Sequence, residues 1–272
     1  MREGTDSASR DSFVPKPGLI LGFAVVGLVT VVLAGMSAPI NGIPPTAEFG
    51  LFQLLPPTYW IGLSSMGLAM ALALRDRSNG LTVVTGVLFF GVLAGTPILF
   101  EPNPRFWDAY FHLGSAQTIG SSGHLPSGLD QYSRNWPGFF LVVLFLSKTG
   151  SIAPLQMLAL IPFLMGGLTF LALFLFLRSL LPPSLAAFGS VLGSLFSVWS
   201  QFHLSPQSVG LFLALLVLAM VWQRSVPLRA AGAILLVGLV VTHPTTTILL
   251  LAVLLVHAVI AHRGRGQRSN WT

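Results

Sequence analysis

The chain alternates long apolar runs with short polar breaks. A run of about 20 apolar residues is the length a helix needs to cross a bilayer. Such runs fall at roughly 18–38, 57–74, 81–100, 154–177, 184–200, 206–223, 228–242 and 245–261. The last two are short and meet at His243-Pro244, so they read as two tilted spans or as one broken hairpin. Residues 136–148 are apolar too, but that run is too short to cross unaided. It opens on Trp136-Pro137-Gly138, closes on Lys148-Thr149-Gly150, and reads as an interfacial or re-entrant helix. The long polar stretch 101–135 is expected to be a loop. The pattern predicts an all-α fold: a polytopic transmembrane helix bundle of about eight spans. Its parts would be an N-terminal tail at 1–17, a membrane module at 18–261 and a basic tail at 262–272.

Composition narrows the class. Only 8% of residues are charged and 53% are hydrophobic, whereas soluble domains carry roughly 25% charged residues. The mean hydropathy is +0.80. Gly (28) and Pro (19) are frequent, and membrane helices tolerate both. With no Cys in the chain, disulfides and thiolate metal sites are excluded. The pI near 10.8 does not point to nucleic acid, because the basic residues lie at segment ends and form no patch. The first apolar run follows a polar, mixed-charge start and shows no small-residue cleavage site, so it reads as a retained helix.

Charge placement sets an orientation. With a cytoplasmic N-terminus and eight crossings, 11 of the 14 Lys and Arg residues fall inside and 3 outside. Acidic residues split four and four, so the bias belongs to Lys and Arg alone. A ninth crossing at 136–148 would move Arg178, Arg224 and Arg229 outside and destroy the bias. The expected location is therefore the cell membrane, multi-pass, with both termini cytoplasmic. The tail around Arg263, Arg265 and Arg268 would rest on anionic lipid heads. Four of the six His residues, His112, His124, His203 and His243, then share the outer face.

The outer stretch carries the chemistry. In Phe106-Trp107-Asp108-Ala109-Tyr110-Phe111-His112, a carboxylate and an imidazole are four residues apart. That spacing puts both on one face of a helix, and an ionisable pair at a membrane edge is a candidate functional site. The bland alternative is that Asp108 caps a short surface helix with His112 packed beneath it. Glu101 and Asp130 share the loop and read as solvated. His243-Pro244 either caps a helix end or lines a groove. Tyr110, Tyr132 and Trp136 either stack on a ligand or belong to the interfacial aromatic belt.

Taken in order, Trp107-Asp108, Phe111-His112, Gly123-His124-Leu125-Pro126, Tyr132 and Asn135-Trp136-Pro137-Gly138 resemble the first outer loop of the glycosyltransferase-C superfamily. That superfamily includes the oligosaccharyltransferase catalytic subunit and the protein mannosyltransferases. The run Phe174–Leu180 with Ala186-Ala187 looks like its cytoplasmic turn, and the likeness spans roughly residues 81–261. It implies transfer of a sugar from a polyprenyl- or dolichyl-phosphate carrier to an acceptor on the outer face. Asp108 matches the family's first acidic residue, which acts as general base or, in some members, helps hold a divalent metal. His112, Arg105 and Arg134 would contact the lipid phosphate, and Tyr132 and Trp136 the sugar. His203, Gln207 and His243 would add polar contacts. Each Arg also fits simply as an interfacial anchor, and Gln207 as a first-turn residue after Pro206.

The pattern departs from the family in two ways. No carboxylate stands near His203-Leu204-Ser205-Pro206-Gln207, where many members have a second acidic or amide position. This weakens the expectation of a metal held between two loops. Family enzymes also usually have more spans. Two other classes therefore stay open: a non-catalytic accessory subunit acting with a partner, and a lipid or small-molecule transporter. The few polar side chains inside the runs, such as Ser64, Thr85, Thr169 and Ser190, argue against ion-coupled transport.

Overall fold

A computed structural model of the chain describes residues 16–103, 106–196, 202–223 and 225–268, with side chains as far as Ile260. These residues form twelve helices and no strand. Four helices are long and apolar enough to cross a membrane: α1 (Pro17–Ser37), α3 (Pro57–Arg75), α4 (Asn79–Phe100) and α8 (Pro154–Arg178). Each matches an apolar run of the sequence to within two residues at either end. Proline opens α1, α3 and α8 at the first helical turn, where its missing N–H costs no hydrogen bond.

The other apolar runs also become helices, but shorter ones: α9 (Pro183–Leu195), α10 (Pro206–Val221), α11 (Val226–Thr242) and the apolar part of α12 (Pro244–Arg268). The run expected over 184–200 stops being helical at Leu195, and residues 197–201 lie outside the described set. The short apolar run at 136–148 is α7 (Gly138–Thr149), twelve residues.

One expectation fails clearly. Most of 101–135 is not a loop. It holds α5 (Trp107–Ser122) and the single turn α6 (Gln131–Asn135). Ala109, Leu113, Ala116 and Ile119 bury one face of α5 against Phe139, Phe140 and Val143 of α7 and Met157, Leu158 and Ile161 of α8. The spacing is helical, but the buried residues are small and the exposed face is aromatic, so the hydropathy contrast is faint. Gly123, at φ +71°, ends α5 in the left-handed conformation, which glycine adopts without a Cβ penalty. Asp130 caps α6, accepting the Ser133 N–H at 3.0 Å. It is half-buried, not solvated as the sequence suggested. A further turn, α2 (Leu51–Leu54), lies in the α1–α3 connection.

The long helices pack closely on small residues. The α1 and α3 backbones meet at Gly27 and Gly62, and Ser65 donates to the Phe23 carbonyl at 2.8 Å. In α8, a Cβ at Gly166 would collide with the Phe90 carbonyl of α4. Towards the end of that pair the helices carry internal prolines, Pro97 in α4 and Pro162 in α8.

Several contacts bring one end of the bundle together. The Ile40 N–H donates to the Phe100 carbonyl at 2.6 Å, tying the α1–α3 connection to the end of α4. Tyr132 OH donates to the Thr242 carbonyl at 3.3 Å, tying α6 to the end of α11. The opposite end gathers Leu74, Val83, Leu177 and Ala186, near Arg75 and Arg178. The Asp108 end of the bundle and the basic ends of α3 and α8 are thus at opposite poles, while Arg134 and Lys148 end α6 and α7. Arg105, and the basic side chains at 2, 10, 224, 263, 265 and 268, lie outside the described residues or side chains.

Candidate functional site

Asp108 is the second residue of α5, in a helix first turn with no other acidic residue, where a carboxylate is favoured by the exposed N–H groups. Its Oδ1 accepts the Ala109 N–H at 3.0 Å. Its Oδ2 accepts from Nε2 of His203 at 2.8 Å. Phe106, not Asp108, is the N-cap of α5 and makes no side-chain cap bond, so Asp108 only satisfies a neighbouring first-turn N–H while it also binds a side chain from a distant segment. His203 is buried (8% exposed) while Asp108 keeps 32% exposure. A carboxylate offers about four lone-pair positions, so two remain for another partner.

The segment holding His203 is firmly set. Leu204 is fully buried in the α5–α7–α8 core. Ser205 caps α10, accepting the Ser208 N–H at 3.3 Å, and the Ser208 hydroxyl reaches the carbonyls of His203 and Ser205 at 3.1 and 2.8 Å. On the other side, the Phe106 ring lies over the imidazole, 4.4 Å between centroids and 19° from parallel. The ring is thus fixed by packing, stacking and its bond to Asp108.

The pair lies at the edge of a cavity of about 750 Å³, within the range of small-molecule sites. Its walls are mainly apolar. They come from Phe49, Leu51 and Phe52 of the α1–α3 connection, from Leu93, Pro97 and Ile98 of α4, and from Leu158 and Pro162 of α8. Phe106, Trp107, Asp108, Phe202 and His203 close one side. Thr96 adds one hydroxyl, joined to the Tyr59 hydroxyl at 2.8 Å and to the Val92 carbonyl at 3.0 Å.

His112 lies one turn along α5 from Asp108, as its spacing predicted, but it does not line the cavity. Its ring packs edge-on to Phe139, 5.8 Å away, and beside Phe140. Burial lowers its basicity, reinforced by His203 and opposed by Asp108 and Asp130. Beyond it, Ser133 donates to Ser115 at 3.3 Å. Burial alone would raise the Asp130 carboxyl, but hydrogen bonds from Ser133 and the Tyr132 N–H outweigh that and hold it below its ordinary value.

Among the described residues, the remaining candidates do not line this cavity, and Arg105 lies outside the described set. Tyr132 rests against Trp136 and His243, with ring centroids 5.5 and 6.4 Å away. Burial first, then Asp130, pushes its hydroxyl up to about 12. His243 Nδ1 accepts the Thr246 N–H at 3.2 Å, so the ring caps the start of α12. The capping alternative is the one its geometry realises, on α12 rather than on α11. Arg134 is exposed at the end of α6, and Gln207 sits half-buried in the first turn of α10. The nine candidates therefore divide. Asp108 and His203 form the site, with His112 behind them. Tyr132, Trp136 and His243 form a separate structural cluster that locks α6 to the α11–α12 break.

The sequence reading missed the aromatic lid Phe106, the wall 49–52, and the two cavity prolines. The prolines had a visible signal, since each interrupts an apolar run. The wall had none, because nothing local marks Phe49 or Phe52 as facing α4. Among the described residues, no group of three His, Asp or Glu side chains is placed to hold a metal ion. The Asp108–His203 pair supplies two donors only, so the residues present do not fit the metal site of some glycosyltransferase-C members.

No protein-family model, curated protein or solved structure matches this chain.

Proposed function

We propose that this is a multi-pass membrane glycosyltransferase of the glycosyltransferase-C kind, working at the extracytoplasmic face. The reading rests on one observation: a carboxylate with two unused acceptor positions, held by a buried imidazole, at the edge of an apolar cavity. In this reading eight helices cross the membrane, the termini are cytoplasmic, and the pole bearing Asp108 faces out.

Asp108 is the general base. An acceptor hydroxyl is a weak nucleophile and needs a positioned group to take its proton. As the acceptor oxygen attacks the anomeric carbon, the bond from that carbon to the phosphate oxygen breaks. The polyprenyl phosphate leaves with the bonding pair, and the acceptor proton passes to Asp108. His203 is a positioning residue: its Nε2–H fixes one carboxylate oxygen and leaves the other side free. Arg134 and Arg105, on the outer face by the charge pattern, are the cations available to the leaving phosphate. Polyprenyl chain is accommodated by apolar surface at the lipid boundary.

The test is sugar transfer in vesicles carrying purified protein and radiolabelled polyprenyl-phosphate sugars of several kinds. Wild type transfers label to an acceptor and Asp108→Asn does not. Equal transfer by the two proteins would remove Asp108 from the mechanism. No transfer by wild type from any donor would leave a cavity that binds lipid without catalysis.

A further inference from the structure

The aromatic residues expected to hold a sugar are engaged elsewhere. Tyr132 rests against Trp136 and His243, and its hydroxyl ties α6 to the end of α11. Beside Asp108 a different indole stands open. Trp107 lines the cavity next to the carboxylate. It is 78% exposed, while Ala109, two residues on, is 1% exposed. Its ring meets that of Phe111 edge-on, 6.4 Å between centroids, so its i+4 neighbour on α5 braces it. Nothing among the described residues accepts from its indole N–H.

The other rings at the cavity suit a polar ligand less well. Phe106 is committed to the His203 imidazole. Phe49, Phe52 and Phe202 have side chains with no polar atom. Trp107 offers an aromatic face and an N–H donor together. Asp108, the next residue, keeps two acceptor positions. Successive helical residues lie about 100° apart around the axis. The indole and the carboxylate therefore approach the cavity from two directions and can hold two sides of one ligand. A pyranose ring fits that pairing. Its C–H groups form a weakly positive face that meets the negative π face of an indole. Its hydroxyls both donate and accept, so one ring serves the carboxylate and the N–H alike. An ammonium would stack on the indole but leave the N–H without an acceptor.

We infer that Trp107 is the stacking platform for the transferred sugar, with its indole N–H donating to a sugar hydroxyl. This rests on the transferase reading for the word transferred, and on the cavity edge alone for the ligand chemistry. It sets the sugar beside the carboxylate that takes the acceptor proton.

Binding tests this without any turnover. Protein in lipid nanodiscs is titrated with radiolabelled octyl glucoside, octyl galactoside, octyl mannoside, octan-1-ol and octyltrimethylammonium, and uptake by empty nanodiscs is subtracted. Wild type binds at least one glycoside on the order of ten-fold more tightly than octan-1-ol, from one stacked ring and its hydrogen bonds. Trp107→Ala removes that preference, leaves octan-1-ol within two-fold of wild type and leaves the unfolding temperature unchanged. Trp107→Phe, which keeps a ring and loses the N–H, retains part of the preference. Three results overturn the inference. Wild type shows no preference for a glycoside over octan-1-ol. Trp107→Ala keeps the preference, or weakens octan-1-ol equally, as for an indole that only anchors the chain in the lipid interface. Octyltrimethylammonium is the ligand that Trp107→Ala weakens most. If the preference and its loss hold while no sugar donor supports transfer, the sugar site stands and the transferase reading falls. If transfer proceeds with the same donor KM in Trp107→Ala, the transferase reading stands and the platform falls.

Discussion

His203 holds Asp108 from ninety-five residues away. One residue opens α5 and the other precedes α10, and no local pattern couples them. What couples them is the core beneath: Leu204 is buried among α5, α7 and α8 residues, so the residue before it has to emerge beside the first turn of α5. The Phe106 ring then covers the imidazole. The consequence is a carboxylate that is oriented on one side and open on the other.

The cluster around His243 should be structural only. His243→Ala removes the side-chain acceptor for the Thr246 N–H and costs about 0.5–2 kcal/mol, the usual value of a helix cap. Thermal unfolding in detergent reads the loss. Sugar transfer should stay at the wild-type level; a large drop would return His243 to the site.

Close packing of α4 and α8 depends on Gly166. An added Cβ meets backbone, the Phe90 carbonyl, which cannot rotate away. Gly166→Ala should therefore lower stability by about 1–3 kcal/mol, the range for an overpacked core. Gly80→Ala, where a Cβ meets nothing within 4 Å, is the matched control and should be neutral or slightly stabilising.

Stability should fall on mild acidification. Burial disfavours the protonated form of His112, while His203 acts in the same sense and Asp108 and Asp130 oppose it. The unfolded chain, with His near 6.5, then binds more protons than the folded one below that pH. The His112 contribution is complete above about pH 6.5 and is lost as pH falls through the lower folded value. Burial shifts His243 the same way, so His112→Phe should flatten the fall in unfolding temperature between pH 7 and 5.5 without abolishing it. An unchanged slope would show that His112 does not titrate in this window.

Sidedness can be read directly because the chain has no Cys. Ser121 is exposed at the end of α5, and Gly80 begins α4 at the opposite pole. In intact cells a membrane-impermeant maleimide should label Ser121→Cys and spare Gly80→Cys until the membrane is opened. The reverse pattern would place Asp108 in the cytoplasm.

Much of the scaffold was legible because it follows from bulk hydropathy. The runs at 18–38, 57–74, 81–100 and 154–177 became α1, α3, α4 and α8 almost residue for residue. The short run at 136–148 became α7. α5 was hidden because its buried face is Ala109, Leu113, Ala116 and Ile119 while Trp107 and Phe111 stay exposed; hydropathy does not separate those faces. Within the site, the Asp108–His112 spacing correctly placed both residues on one helix. It misjudged the partner, because the nearer imidazole packs against Phe139 and the distant one meets the carboxylate. Such pairings depend on tertiary contacts between separate elements, which periodicity does not encode.

The central claim is that Asp108 and His203 act as one unit. Rates of sugar transfer for Asp108→Asn, His203→Ala and the double variant test it most directly. Losing the base should cost about 100- to 10,000-fold, and losing its orienter about 10- to 100-fold. Because His203 acts only through Asp108, the double variant should be no slower than Asp108→Asn alone. Losses that multiply in the double variant would mean the two residues work independently, and would contradict the account.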